Sequence, residues 1–210
     1  MLREFEKKVA DEYNSRFLRY GTQPKSSLWF SESRQILRFD VIINCITRTS
    51  MPLHFKINDI GCGYGGFLKR RQSNFGNDRF SYAGFDLAKS PVDYCKQKYA
   101  GSGVEFYCGG TPLEIADYSV MSGTFNYAPD LTVREWKDYL FGSLNSIWNL
   151  TRHSMIFNLM ISEEEKITSQ RISYIRKDTI TNFCNKNFGV TYEHFSSKLP
   201  REITFCVRKR

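Results

Sequence analysis

The 210 residues are 41% hydrophobic, 25% charged and 15% aromatic, a balance that suits one globular domain with a sizeable core and an aromatic-lined pocket. No apolar run approaches the roughly 18 residues of a membrane-spanning helix, and the charged start MLREFEKKVADEYNSRF lacks the apolar stretch of a secretion signal. The net charge of +8 comes from scattered lysines and arginines, and the densest groups, at 69–71 and 208–210, are short. Scattered solvation therefore explains the charge better than a face built to bind polyanions.

Phe5, Val9, Tyr13 and Phe17 stand four apart and predict an amphipathic helix over 2–20. YGTQPKSS (20–27) is a turn-rich break. ESRQILRFDVIINCI (32–46) predicts a second helix, with Ile36, Leu37, Val41 and Ile42 facing inward, and Met51-Pro52 ends the segment. Strands and helices then alternate. HFKINDI, RFSYAGFDL, VEFYCG, ADYSVMSGTF and HSMIFNLM read as strands. GGFLKRRQ, SPVDYCKQKYA, TVREWKDYLFGSLNSIWNLT and DTITNFCNKNFG read as helices, the second of these with Ser90 as N-cap. EEEK at 163–166 reads as a solvated helix start. VTYEHFSS and REITFCVRK close the chain around Leu199-Pro200; a connection this short makes that pair antiparallel. The expected fold is α/β: a Rossmann-like, doubly wound, seven-stranded sheet, mostly parallel, with an antiparallel C-terminal hairpin strand and an N-terminal helical cap.

The stretch INDIGCGYGGFLKR (57–70) joins the first of these strands to a helix through glycines. In a doubly wound sheet a ligand sits at the C-terminal strand ends, where glycines let the backbone approach it closely. Asp86, at the end of the second strand, can accept hydrogen bonds from ribose hydroxyls. Glycines and Asp86 together describe an adenosine site under either of two cofactors. Gly61, Gly63 and Gly66 fit the G-x-G-x-x-G of a dinucleotide loop. Asp59, Gly61, Gly63 and Gly65 fit the D-x-G-x-G-x-G of an S-adenosylmethionine loop. Asp59 separates them: a carboxylate there repels a pyrophosphate but favours a sulfonium and an ammonium. A Tyr94–Lys98 pair matches Y-x-x-x-K, but it lies on the helix straight after the second strand, too early for a dehydrogenase couple.

With DIGCGYG, GFDLA and ADYSVMSGTFN in that order, residues 51–210 resemble the class I S-adenosylmethionine-dependent methyltransferases. YGTQPKSSLWFSESRQILRF resembles the N-terminal lid of small bacterial members. The resemblance implies a helical cap over residues 1–50 and a cofactor-binding domain over 51–210. It implies S-adenosylmethionine as cofactor and S-adenosylhomocysteine as product. Asp59, Gly61, Cys62, Gly63, Tyr64 and Gly65 would hold the methionine end, and Asp86 and Leu87 the ribose and adenine edge. Where the superfamily often has an acid after the third strand, this chain has Gly109, Gly110 and Thr111, so a backbone or hydroxyl contact is expected there. Ser122 would face the transferred methyl.

Methyl transfer from a sulfonium is an in-line displacement that chiefly needs a positioned acceptor and a dry site. Asn126 is the candidate acceptor-orienting residue, beside a plain loop role, and Tyr127 is its companion. Tyr20, Trp29, Phe30 and Phe125 are candidate pocket aromatics. His194 is a possible base or a simple strand histidine. Cys62 reads as a loop filler rather than a nucleophile. The six cysteines lack a C-x-x-C pair and only three histidines accompany them, which points away from a metal site and toward free thiols in a reducing cytoplasm. The N-P-P-Y signature of nucleobase amino methylation is absent, and SGTFNYAP stands in its place. A small-molecule acceptor, methylated at O or N, is therefore expected. The alternatives are an RNA or protein methyltransferase using the basic surface and a non-catalytic cofactor-binding partner subunit.

Overall fold

The computed structural model describes residues 2–29, 31–48, 53–75 and 80–209. Its centre is a seven-stranded sheet. The strands are β1 (Phe55–Ile60), β2 (Phe80–Asp86), β3 (Glu105–Cys108), β4 (Ala116–Met121), β5 (Thr151–Met160), β8 (Val190–Phe195) and β9 (Glu202–Arg208). Two short strands, β6 (Lys166–Ile167) and β7 (Ser173–Tyr174), form a separate ribbon. The sheet order is β3-β2-β1-β4-β5-β9-β8, with β1 to β5 parallel. β9 enters antiparallel between β5 and β8, pairing Phe157 with Phe205 and His194 with Thr204.

The helices are α1 (Leu2–Tyr20), α2 (Glu32–Thr47), α3 (Gly66–Phe75), α4 (Lys89–Lys98), α5 (Val133–Asn149) and α6 (Lys177–Asn187). The period-two alternation of the strands divides the core between two faces. On one, Phe39, Ile42 and Ile46 of α2, Leu68 of α3 and Val92 of α4 pack on Ile57, Tyr82, Val120 and Ile156. On the other, Trp136, Leu140, Leu144 and Ile147 of α5 and Ile180 of α6 pack on Met121, Met155, Phe157 and Phe205. Each side chain of this size contributes about 1.5–3 kcal/mol by leaving water, so two complete faces account for the closed sandwich. Thr132 and Glu135 form a capping box that starts α5.

Three local expectations are corrected. Helix α4 begins at Lys89 after an extended Ala88 and has no side-chain cap of its own. The Ser90 N–H donates instead to Asn14 Oδ1 of α1 at 2.8 Å, and the Ala88 N–H is held by Asp86. The expected helix start at 163–166 runs into the β6–β7 ribbon, where Glu165 pairs with Lys137 at 2.7 Å. The buried face of α2 is turned from the one expected: Gln35, Arg38, Phe39, Ile42, Ile43 and Ile46 are buried, while Ile36, Leu37 and Val41 are only half-buried. Buried partners for Gln35 and Arg38 draw those polar side chains inward. Residues 1–50 thus divide between α1, which lies over the strand ends, and α2, which belongs to a core layer. Met51-Pro52 and Phe30 lie outside the described residues. No described helix is long and apolar enough to cross a membrane, and all six cysteines are free.

Candidate cofactor and acceptor site

The C-terminal ends of β1, β2, β3 and β4 open into one cavity of about 1150 Å³, mouth included. Its floor is the loop after β1. Gly61, Gly63 and Gly65 all have positive φ, at 75°, 52° and 78°. The Gly61 and Cys62 N–H groups donate to the Phe85 carbonyl at 2.7 and 3.0 Å, which ties the loop to β2. A Cβ at Gly61 would come within 2.5 Å of Thr124 Oγ1, whose hydroxyl donates to the Ile60 carbonyl. Gly61 therefore answers both a left-handed backbone and a side chain pressed against it. Gly66 opens α3, outside the loop proper.

Two carboxylates line this floor. Asp86 accepts the N–H of Gly63 and of Ala88, each at 2.8 Å, so it orders the loop while leaving lone pairs for a ligand. Asp59 is 1% exposed and accepts the Tyr82 hydroxyl at 2.5 Å. Burial pushes the Asp59 carboxyl up to about 7, against the pull of the Tyr82 hydrogen bond, and the Asp86 charge pushes it further up. Burial raises Asp86 too, opposed by its two backbone donors. Neither carboxylate has a cation partner among the described residues. Ser122 adds a buried hydroxyl that lines the cavity without a hydrogen-bond partner.

This donor set fits S-adenosylmethionine. Uncompensated negative charge attracts an ammonium and a sulfonium and repels a pyrophosphate. Asp86 stands at the end of β2, Leu87 follows it at the wall, and Ser122 offers a free hydroxyl. Cys62, Gly63 and Tyr64 also line the cavity, and the Tyr64 hydroxyl is held by Gln35 Oε1 at 2.8 Å. Burial pushes the Cys62 thiol well up, which suits a loop filler and not a nucleophile. Gly110 reaches the wall with Gly109, but Thr111 is exposed beyond it.

The opposite end of the cavity is built from distant segments. The Trp29 ring covers Gly123, where a Cβ would fall 2.3 Å from the indole. The Arg38 guanidinium stacks under Trp29, 3.8 Å from the ring centroid. Arg38 and Glu202, each 4% exposed, form an ion pair with Nη2 to Oε2 at 2.6 Å. Asn158 donates to Glu202 at 2.6 Å and accepts the Gly123 N–H at 2.7 Å. The circuit Trp29–Arg38–Glu202–Asn158–Gly123 thus closes on itself. Phe125 and Tyr127 line the same end, and the Tyr127 hydroxyl lies 3.4 Å from Arg171 Nη1.

The roof is α1. Phe5, Val9, Tyr13 and Phe17, the residues spaced by four in the sequence, all face the cavity. Phe5 meets Tyr139 edge-on with centroids 4.8 Å apart, and Tyr13 meets Tyr127 at 6.0 Å. Besides Gly65, which faces Tyr99 and Cys95 and not the cavity, four expected site residues lie elsewhere. Asn126 is stitched into the fold: its Oδ1 accepts the Met160 N–H and its carbonyl accepts the Ser173 N–H, and it does not line the cavity. Tyr20 ends α1 between Arg16 and Arg19. His194 stands on the outer strand β8, where burial and then the charges of Arg48 and Arg208 lower its pKa. Thr111 is the fourth. The sequence did not single out Gln35, which lines the cavity, or Arg38, Asn158 and Glu202, which brace its wall behind Trp29 and Gly123; only the polar interruptions at Gln35 and Arg38 on α2 signalled any of them.

No protein-family model matches the chain. It is 27% identical over 157 residues, 74% of this chain and 93% of the other, to a Mycobacterium tuberculosis protein named "Putative methyltransferase". Magnesium protoporphyrin IX methyltransferase from Synechocystis PCC 6803, solved with bound S-adenosylmethionine, superposes with a TM-score of 0.67 at 14% identity, covering 98% of this chain and 97% of that one. A Leishmania major S-adenosylmethionine-dependent methyltransferase superposes with a TM-score of 0.71 at 16% identity, covering 98% and 83%. The chain shares the fold of these methyltransferases, and its glycine-loop motif is similar to that of the class I S-adenosylmethionine-dependent enzymes.

Proposed function

We propose that the protein transfers the methyl group of S-adenosylmethionine to a small-molecule acceptor, at oxygen or nitrogen. The observation that carries this reading is a pair of carboxylates without cation partners, Asp59 and Asp86, on the floor of a chamber roofed by an aromatic helix face. When bound, the cofactor supplies a methyl group already activated on a sulfonium. The chain's own residues then have three tasks. Asp59 and Asp86 hold the cationic and ribose ends. Phe5, Val9, Tyr13 and Phe17 keep water out. Trp29, Phe125 and Tyr127 pack and orient the acceptor, and this positioning supplies most of the acceleration that an in-line displacement needs.

The chamber supports a small acceptor over a macromolecular one because α1 lies across the strand ends, fixed by Asn14 to α4 and by Lys8 to Asp130 at 3.0 Å. A polymer would have to displace that helix or offer a protruding group. Incubation with methyl-labelled cofactor tests this directly: label is expected in a small-molecule pool and not in added RNA or protein. Label in RNA, with binding that falls steeply as salt rises, would select the basic surface instead.

A further inference from the structure

The methyltransferase reading leaves the adenine end without an acid. The strand end that borders it carries Gly109 and Gly110, which offer no side chain to the exocyclic amine. The space beside Gly110 is not empty. A Cβ built there would lie 3.3 Å from Leu87 and 4.0 Å from Glu6 Oε1, a carboxylate brought down from α1. Glu6 is half-buried, one residue from Phe5 and one helical turn from Val9, both of which line the cavity. Its one described hydrogen bond comes from the Tyr139 hydroxyl at 3.5 Å, the outer limit of such a contact, and no ion pair among the described residues holds it. Tyr139 itself lines the cavity, and burial, followed by the Glu6 charge, raises its hydroxyl to about 12, so it remains a donor.

An adenine amine donates two hydrogens and needs an acceptor in the plane of its ring. With Asp86 and Leu87 at the neighbouring strand end, an adenine bound there would extend toward Gly110, beside which the Glu6 carboxylate stands at the edge of the cavity. We propose that Glu6 of the roof helix reads the adenine amine of the cofactor, supplying across the cavity the acceptor that the Gly109–Gly110 strand end lacks. The roof helix, held in place by Asn14 and Lys8, then takes part in selecting adenine.

This inference rests on the cofactor reading above, and one calorimetric experiment separates the two. The intact protein is titrated with S-adenosylhomocysteine and with S-inosylhomocysteine, in which a carbonyl replaces the amine. The unmodified chain is expected to prefer the adenosine form by about tenfold to a hundredfold, the size of one hydrogen bond to a charged group. In Glu6→Gln, whose side-chain amide can donate to the inosine carbonyl, the preference should fall below about threefold, mainly through tighter binding of the inosine form. Glu6→Ala should lose affinity for the adenosine form and leave the inosine form nearly unchanged. Melting temperatures of the ligand-free variants, expected to match the parent, separate this from a loss of structure. An undiminished preference in both variants would assign the amine to a backbone carbonyl and overturn the role of Glu6. No binding of either compound by the unmodified chain would overturn the cofactor reading itself.

Discussion

The two ends of the cavity are made in opposite ways. The cofactor end is local: Asp59 through Gly65 is one continuous stretch, and Asp86 reaches it from the adjacent strand with hydrogen bonds to backbone N–H groups. The Trp29–Gly123 end is braced from behind by side chains far apart in the chain, Arg38 meeting Glu202 across 164 residues and Asn158 meeting Glu202 across 44. Backbone-built sites tolerate change around them but not within them. Sites built from buried side-chain circuits depend on every member, because a lost partner leaves a charge or a polar group stranded.

The largest effect should come from breaking the circuit. Arg38→Ala leaves the Glu202 carboxylate buried without its cation, which costs about 3–5 kcal/mol. Chemical denaturation should register that loss while the affinity for S-adenosylhomocysteine in the remaining folded protein changes little. A large loss of affinity would mean that the two ends are not independent.

The next effect belongs to Asp59 and depends on pH. Its folded pKa, about 7, lies above its ordinary value of 3.8, so its contribution to stability is complete below 3.8 and is lost as pH rises toward 7. The ligand-free protein should therefore be less stable at pH 8 than at pH 5 on account of this group, by about 3 kcal/mol from the two units between pH 5 and the folded pKa. Asp59→Asn should flatten that slope in pH-dependent melting. Cofactor binding should run the other way: affinity rises with pH up to about 7, because a cationic ligand pairs only with the ionised carboxyl, and binding at neutral pH releases protons measurable in buffers of different ionisation enthalpy.

A smaller effect is expected at Asp86. Asp86→Asn keeps the size of the side chain but loses charge-assisted bonds to the loop and to the ribose, each of about 1.5–3 kcal/mol. Affinity for S-adenosylhomocysteine should fall about a hundredfold, and the melting temperature should fall with the weakened loop contacts. The smallest is Tyr127→Phe. Among the described residues the hydroxyl has only the 3.4 Å contact with Arg171, so its loss should leave cofactor affinity intact and lower kcat/KM for the acceptor less than about tenfold. A larger drop would make Tyr127 a direct participant in the chemistry.

The same contrast explains what the sequence made legible. Periodicity and turn residues located both faces of the sheet, and the antiparallel pairing of β8 and β9 followed from the short link at Leu199-Pro200. Asp59, Asp86, Leu87, Ser122, Trp29, Phe125 and Tyr127 all meet at the cavity, because strand ends in this fold have fixed positions. Asn126 was misplaced because its amide is drawn to the end of β5, a contact with no local signature. His194 was misplaced because its strand is the outer edge of the sheet, while the cavity sits over the ends of β1 to β4. Arg38, Glu202 and Asn158 were illegible as a set, since nothing local links residues on α2, β9 and β5. Glu6 lies off the four-residue spacing of Phe5, Val9, Tyr13 and Phe17, so no sequence pattern marks its place beside Gly110.

The central claim is that the paired carboxylates make this cavity a site for a cationic adenosine cofactor. Isothermal titration of the unmodified protein with S-adenosylmethionine, S-adenosylhomocysteine and NAD, at one pH and one salt concentration, tests it most directly. The account predicts saturable binding of the first two, weakened together by Asp86→Asn, and none of NAD. Binding of NAD, with neither sulfur compound taken up, would contradict it.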